Sequence, residues 1–334
     1  MNKAPLLQVV GLSKHFPSGG ALLGRPRMWL RAVEEVTFQV LSGETFGLVG
    51  ESGCGKTTLG RLILRLLDPS AGRILFENQE ITSLTRAQMG PLRSRMQMIF
   101  QDPYASLDPR MRVADIVSEP LLAEGSLDKS ARRKRSAELL VRVGMAAGDL
   151  TKFPHEFSGG QRQRIGIARA LSVNPQLVVA DEPLSALDVS IQAQVIHLLQ
   201  ALQDELGLTY LFISHDLSVV GHFCDRIAVM YLGRIVECAP REVFRRAPRH
   251  PYTRALKAAI PIPDPEQPSR PAISGGELPD PLHPPSGCPF HPRCPYQFQR
   301  CIQEVPPLIE VGADHLNACW YQHGQGVGET EGFV

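Results

Sequence analysis

The sequence is as informative in what it lacks as in what it contains. It has no stretch of about 18 consecutive apolar residues, so no membrane-spanning helix is expected. The start, Met1-Asn2-Lys3-Ala4-Pro5, has no charged segment leading into an apolar run, and no secretory leader is expected. There is no surplus of charge: 35 basic residues face 34 acidic ones, net +1, which argues against a nucleic-acid partner. Its one basic cluster, Arg132-Arg133-Lys134-Arg135, reads as a solvated helix face. No internal repeat and no heptad run occur. Seven cysteines, an odd number, suit a reducing compartment better than a disulfide framework.

What is present is a chain of 334 residues, 43% hydrophobic, enough for one large domain and an appendage. Residues 1–245 alternate short β-branched runs with helical patterns, as expected of an α/β domain around a largely parallel sheet. Thr45–Val49, Leu177–Ala180 and Tyr210–Ile213 are apolar throughout and fit strands buried on both faces. From about 102 to 172 the pattern is mostly helical, as in Ala131–Val143, which suggests a helical insertion. Nine prolines between 261 and 285 predict an extended linker laid over a surface. A small cysteine-bearing module over 288–319 follows, and the end from Gly324 should fray.

Gly50-Glu51-Ser52-Gly53-Cys54-Gly55-Lys56-Thr57 has the spacing of a phosphate-binding loop, followed by Thr58. It lies between a strand and a helical pattern of Leu59, Leu62, Ile63, Leu66 and Leu67, the context such a loop needs. Its glycines let backbone N–H groups converge on phosphate oxygens, and the helix N-terminus adds its dipole. Lys56 should reach the β- and γ-phosphates and Thr57 should ligate Mg²⁺. The Cys54 side chain is expected to be incidental. Downstream, Leu177–Ala180 ends in Asp181-Glu182. Asp181 is placed to hold Mg²⁺, and Glu182 to polarise an attacking water as general base.

Phe157-Ser158-Gly159-Gly160-Gln161 lies between these elements, and here the chain resembles the ABC ATPase family. The resemblance implies a P-loop NTPase (RecA-like) α/β core with an antiparallel β subdomain and a helical signature subdomain. It implies that Ser158, Gly159, Gly160 and Gln161 cap ATP held by a partner's phosphate loop, so that two subunits sandwich two nucleotides. Gln101 matches the family glutamine that touches Mg²⁺ and the attacking water. Ser185-Ala186-Leu187-Asp188 matches the loop that crosses the dimer interface, His215 the histidine that contacts the γ-phosphate, and Phe16 the aromatic that stacks on adenine.

Gln101–Arg110, Ser185–Gln194 and His250-Pro251-Tyr252-Thr253 narrow the likeness to ATPases of oligopeptide and dipeptide importers. The residues between Phe16 and Ala32, with Trp29, resemble the F-type subunit. That implies a second ATPase of D-type, two transmembrane permease subunits, an extracytoplasmic solute-binding protein, and a peripheral position on the cytoplasmic face of the inner membrane. Relatives in the group move peptides, nickel, glutathione or haem. A soluble ABC protein acting on ribosomes or DNA is the remote alternative.

Cys288, Cys294, Cys301 and Cys319 are spaced x5, x6 and x17, without a C-x₂-C pair. Four thiols suit Zn²⁺ or a [4Fe–4S] cluster, and reduced buried thiols would carry the same spacing. His291 and His283 are alternative ligands. Peptide-importer ATPases carry a similar Cys-bearing tail, which in some members is thought to hold [4Fe–4S].

Overall fold

A computed structural model describes residues 4–19, 28–125, 127–260 and 279–322. Most of the proline-rich stretch, residues 20–27 of the segment between Phe16 and Ala32, and the expected frayed end lie outside the described residues.

The chain opens with two long antiparallel strands, β1 (Pro5–Ser18) and β2 (Met28–Leu41), then β3 (Thr45–Val49) and helix α1 (Lys56–Ile63). β4 (Ala71–Phe76) and β5 (Gln79–Glu80) return to the first sheet, in the order β2-β1-β4-β5. After α2 (Gly90–Arg93) and β6 (Met96–Ile99) come the helices α3 (Val113–Glu124), α4 (Lys129–Arg142) and α5 (Gly159–Leu171). This is the helical insertion the periodicity predicts. The core then resumes through β7 (Leu177–Asp181), α6 (Val189–Leu206), β8 (Thr209–Ser214), α7 (Leu217–Phe223), β9 (Arg226–Tyr231) and β10 (Arg234–Pro240).

The second sheet runs β11-β12-β10-β9-β3-β8-β7-β6. From β9 to β6 every pairing is parallel. Alternate residues of these strands serve two cores: Leu48, Val179 and Ile213 face the first sheet and α1, whereas Ala180, Tyr210 and Phe212 face the helical side. The interiors of β3, β7 and β8 carry few polar residues because both faces are covered; Thr45 at the start of β3 is buried with its hydroxyl donating to Gln203 Oε1 at 2.9 Å. Leu48, Val179, Ile213 and Phe212 each contribute roughly 1.5–3 kcal/mol by this burial.

The periodicity read past Ile63 overshoots. α1 ends at Ile63 with Leu64 as its C-cap, Arg65 turns to φ 52°, and Leu66 is 45% exposed.

The remaining elements are α8 (Arg241–Arg246), α9 (Pro251–Ala258), α10 (Gln299–Gln303), β11 (Ile309–Gly312) and β12 (His315–Asn317). β12 pairs antiparallel with β10 through Glu237↔Asn317 and Cys238↔Leu316. The C-terminal extension therefore widens the central sheet, and Cys288, Phe290, Cys301 and Trp320 join the helical-side core. No helix among the described residues is long and apolar enough to cross a membrane.

Candidate functional site

The phosphate loop leaves β3 and curls into α1. Gly53 and Gly55 take φ of 80° and 106°, values that L side chains resist. Gly50 cannot carry a side chain for another reason: a Cβ there would lie 2.2 Å from the Met230 carbonyl oxygen. Lys56 folds back over the loop, its Nζ donating to the carbonyls of Gly50 (2.8 Å) and Glu51 (3.0 Å). The Cys54 side chain, expected to be incidental, is buried, and its sulfur sits 3.8 Å from Lys56 Nζ.

The parallel register sets β8 beside β3 and β7 beside β8, so the ends of these strands lie on the side of the sheet where the loop begins. Asp181 accepts a hydrogen bond from the Thr57 hydroxyl at 2.9 Å. Burial pushes its carboxyl up from the ordinary value, opposed by that hydroxyl. A hydroxyl and a carboxylate paired in this way offer two oxygen ligands suited to a divalent cation.

Glu182 stands at the centre. Gln101 Nε2 donates to Glu182 Oε2 at 2.9 Å, His215 Nδ1 lies 3.2 Å from the same oxygen, and Lys56 Nζ is 3.9 Å from Oε1. Its backbone is in the left-handed region at φ 43°, with its N–H donating to Ile213 O at 2.9 Å. For a non-glycine residue such a conformation costs about 1–3 kcal/mol and persists only where surroundings enforce it. A carboxylate held this way can accept a proton from a water at the cleft.

Phe16, Ser52–Thr58, Gln101 and Glu182 line one cavity of about 280 Å³. Phe16 comes from β1, half-buried, with Lys14 Nζ 5.1 Å from its ring centre. Leu30–Ala32, Leu232, Gly233 and Pro281 complete the wall; sequence patterns gave no signal for these.

Two candidate groups lie apart from that cavity. Ser158 is the N-cap of α5; its side chain accepts from Gln161 N, and its N–H donates to Gln161 Oε1 at 3.0 Å. This reciprocal cap holds the Ser158-Gly159-Gly160-Gln161 turn at the surface with Ser158 exposed. Gly160 packs so closely on α6 that a Cβ would fall 2.6 Å from Ile191 Cγ2. Ser185 Oγ donates to Glu182 O at 3.1 Å, tying the exposed Ser185–Asp188 segment to the glutamate. The neighbouring Val189 is 81% exposed.

Cys288, Cys294, Cys301 and Cys319 line one small pocket with His250, His291 and Phe290. Burial, with the neighbouring thiols adding, pushes Cys288 and Cys294 up to about 12. Among the described residues no set of three or more His, Cys, Asp and Glu side chains converges to hold a metal ion. His283 pairs instead with Asp280 at 2.8 Å, outside this pocket.

A phosphate loop, strand-end carboxylates, an inserted helical region and an exposed Ser-Gly-Gly turn together define an ATP-binding cassette. The family model for "ABC transporter" matches residues 33–185, and that for "Oligopeptide/dipeptide transporter, C-terminal region" matches 236–301. A peptide import ATP-binding protein of Brucella ovis is 50% identical over 319 residues, 96% of this chain and 98% of the relative. The oligopeptide transport ATP-binding protein AppF of Bacillus subtilis is 46% identical over 321 residues, 95% and 98% of the two chains. Among solved structures, a dimeric ATP-binding cassette in a post-hydrolysis state, bound to ADP and Pi, matches with TM-score 0.63 and 28% identity. It covers 70% of this chain and 98% of that one. A cassette of a Clostridium perfringens cbiONQ transporter matches equally, with TM-score 0.63, 31% identity and coverage of 72% and 91%.

This chain belongs to the ABC transporter ATP-binding family, in the branch that carries the oligopeptide/dipeptide-type C-terminal region. It is an ATPase using ATP and Mg²⁺.

Proposed function

We propose that the chain powers import of di- or oligopeptides through a membrane permease, closing with a second ATPase over two ATP molecules. The observation that supports it most is Glu182, gathered with Gln101, His215 and Lys56 at the mouth of the phosphate-loop cavity. On this reading the loop Gly50–Thr58 grips the phosphates through those of its amides that face the cavity and through Lys56, Phe16 stacks on adenine, and Thr57, Gln101 and Asp181 serve Mg²⁺. Glu182 acts as general base and His215 contacts the γ-phosphate.

Ser158–Gln161 cap the partner's ATP, and Ser185 and Asp188 sit at the dimer interface. The motor lies in residues 1–245 and the transporter-type extension in 246–334. The partners are a D-type ATPase, two permease subunits and, through them, an extracytoplasmic solute-binding protein. The chain then sits peripherally on the cytoplasmic face of the inner membrane. Peptide is favoured over nickel, glutathione or haem because the relatives carry that substrate class in their names.

The C-terminal thiols we read as ligands of a [4Fe–4S] cluster, on the single ground that all four line one pocket; among the described residues they do not converge as a metal-holding group in this structure. Such a cluster would cross-link the extension. Anaerobically purified protein should then contain iron and sulfide and absorb in the visible; colourless, metal-free protein would refute that part alone.

The motor reading is tested in proteoliposomes carrying the full complex. Wild-type should import peptide with ATP, and Glu182→Gln should bind ATP but lose hydrolysis by a factor of about 10² or more. Undiminished hydrolysis in Glu182→Gln, or transport of nickel, glutathione or haem but not peptide, would overturn the corresponding part.

A further inference from the structure

Glu51 is the second residue of the phosphate loop, yet neither its side chain nor its amide is directed at the nucleotide cavity. Its carboxylate Oε2 accepts from Arg293 Nη1 at 3.0 Å, and its backbone N–H donates to the Tyr252 hydroxyl at 2.9 Å. Both partners come from the C-terminal extension, 242 and 201 residues away. Arg293 is 8% exposed at its side chain and also donates to the Tyr231 hydroxyl at 3.4 Å. Tyr252 is fully buried and packs with Tyr231 and Phe290 at centroid distances of 4.6 and 5.4 Å. Among the described residues Glu51 Oε1 and Arg293 Nε find no hydrogen-bond partner, and the Nη1–Oε2 contact is what joins these two side chains.

We propose that Arg293 is a positioning residue of the nucleotide site: with Tyr252 it anchors Glu51, so the C-terminal extension sets the geometry of the phosphate loop.

The physical case rests on what each group would otherwise do. A surface salt bridge contributes little, but this guanidinium is buried over an aromatic floor and its carboxylate is three-quarters shielded, where breaking one partner strands the other. The Tyr252 hydroxyl accepts from the Glu51 amide, and Cys54 N–H donates to the Glu51 carbonyl at 3.3 Å, so the anchored residue is itself tied into the turn of the loop. Phosphate binding by such a loop depends on several N–H groups converging, and a shift of about 1 Å in the loop disperses them. A second touch from the same extension, Pro281, lies on the wall of the nucleotide cavity. Arg293 itself ends the short turn His291–Arg293 between Cys288 and Cys294, so the anchor is built into the cysteine-bearing segment.

The test uses the full-length chain and MANT-ATP with Mg²⁺ as the probe. Arg293→Gln and Glu51→Gln should each weaken binding about tenfold. The double variant should be no weaker than either single one, because both remove the same contact. Arg293→Lys should recover part of the loss. Tyr252→Phe, which keeps the aromatic packing and removes only the hydroxyl, should weaken binding about threefold or more and keeps the test available if Arg293→Gln fails to fold. A purely structural role would lower the melting temperature of nucleotide-free protein while leaving the affinity of the folded fraction unchanged; that result would overturn the proposal. So would additive losses of about a hundredfold in the double variant. A wild-type chain unable to bind MANT-ATP would sink the site assignment along with it.

Discussion

Glu237→Ala should unfasten the C-terminal extension from the central sheet while leaving the rest of the core in place. Glu237 is wholly buried in β10. Its carboxylate accepts the backbone N–H of Arg249 at 2.6 Å and of His250 at 3.1 Å, and lies 2.7 Å from His315 Nε2 in β12. One side chain thus joins the sheet to the start of α9 and to the last strand. Truncation leaves three buried donors without a partner. Each costs roughly 1–3 kcal/mol, so about 4 kcal/mol is expected once the site relaxes. At tenfold per 1.4 kcal/mol this raises local opening about a thousandfold. Hydrogen exchange followed by mass spectrometry reads it directly: amides of 309–322 and 248–258 should exchange far faster, those of β3 and β7 at nearly their wild-type rates. A folded variant in which exchange over 309–322 rises by less than tenfold would refute the argument.

Gly55→Ala should abolish ATP binding in filter assays with little loss of secondary structure by circular dichroism. Its φ of 106° disfavours any side chain, and the new Cβ would stand 2.1 Å from the Ala32 carbonyl oxygen; near-wild-type affinity would contradict this. Acidification should lower the melting temperature. Burial holds His250 down to about 4, below the ordinary 6.5, so between those values the unfolded chain takes up the proton first and stability falls by up to about 3 kcal/mol. Above 6.5 His250 is neutral in both states and adds nothing. Glu237 acts in the same sense: burial alone would raise its carboxyl, but hydrogen bonds led by His315 more than offset this and hold it below 4.5. Its contribution is full above that value and lost beneath it. A melting temperature flat from pH 6.5 to 4 would show the assignment wrong, and His250→Asn should reduce the slope.

Much of the site is written locally. The loop from Gly50 to Thr57 needs glycines at fixed spacing because backbone amides do the binding, and the strand before it must be apolar because both sheet faces are covered. Leu177–Asp181 and Thr209–Ser214 are legible for the same reason, and the Ser158–Gln161 cap follows from side chains three residues apart. The end of α1 is not legible so simply. Leu66 keeps the helical spacing, but the backbone turns at Arg65 to begin the connection to β4, and periodicity does not register such a turn.

What the sequence by itself determined is the phosphate loop, the strand-end acids, the signature turn and the α/β order, all of them patterns within a few residues. Only the tertiary structure decided that Glu182 gathers Gln101, His215 and Lys56, and that Arg293 and Tyr252 reach back to Glu51. It also decided that β12 joins the central sheet beside β10 instead of standing in a separate module. The reason is physical: contacts across 33 to 242 residues depend on the order in which strands pair, and strand order is settled by the burial of whole faces, which no local spacing encodes.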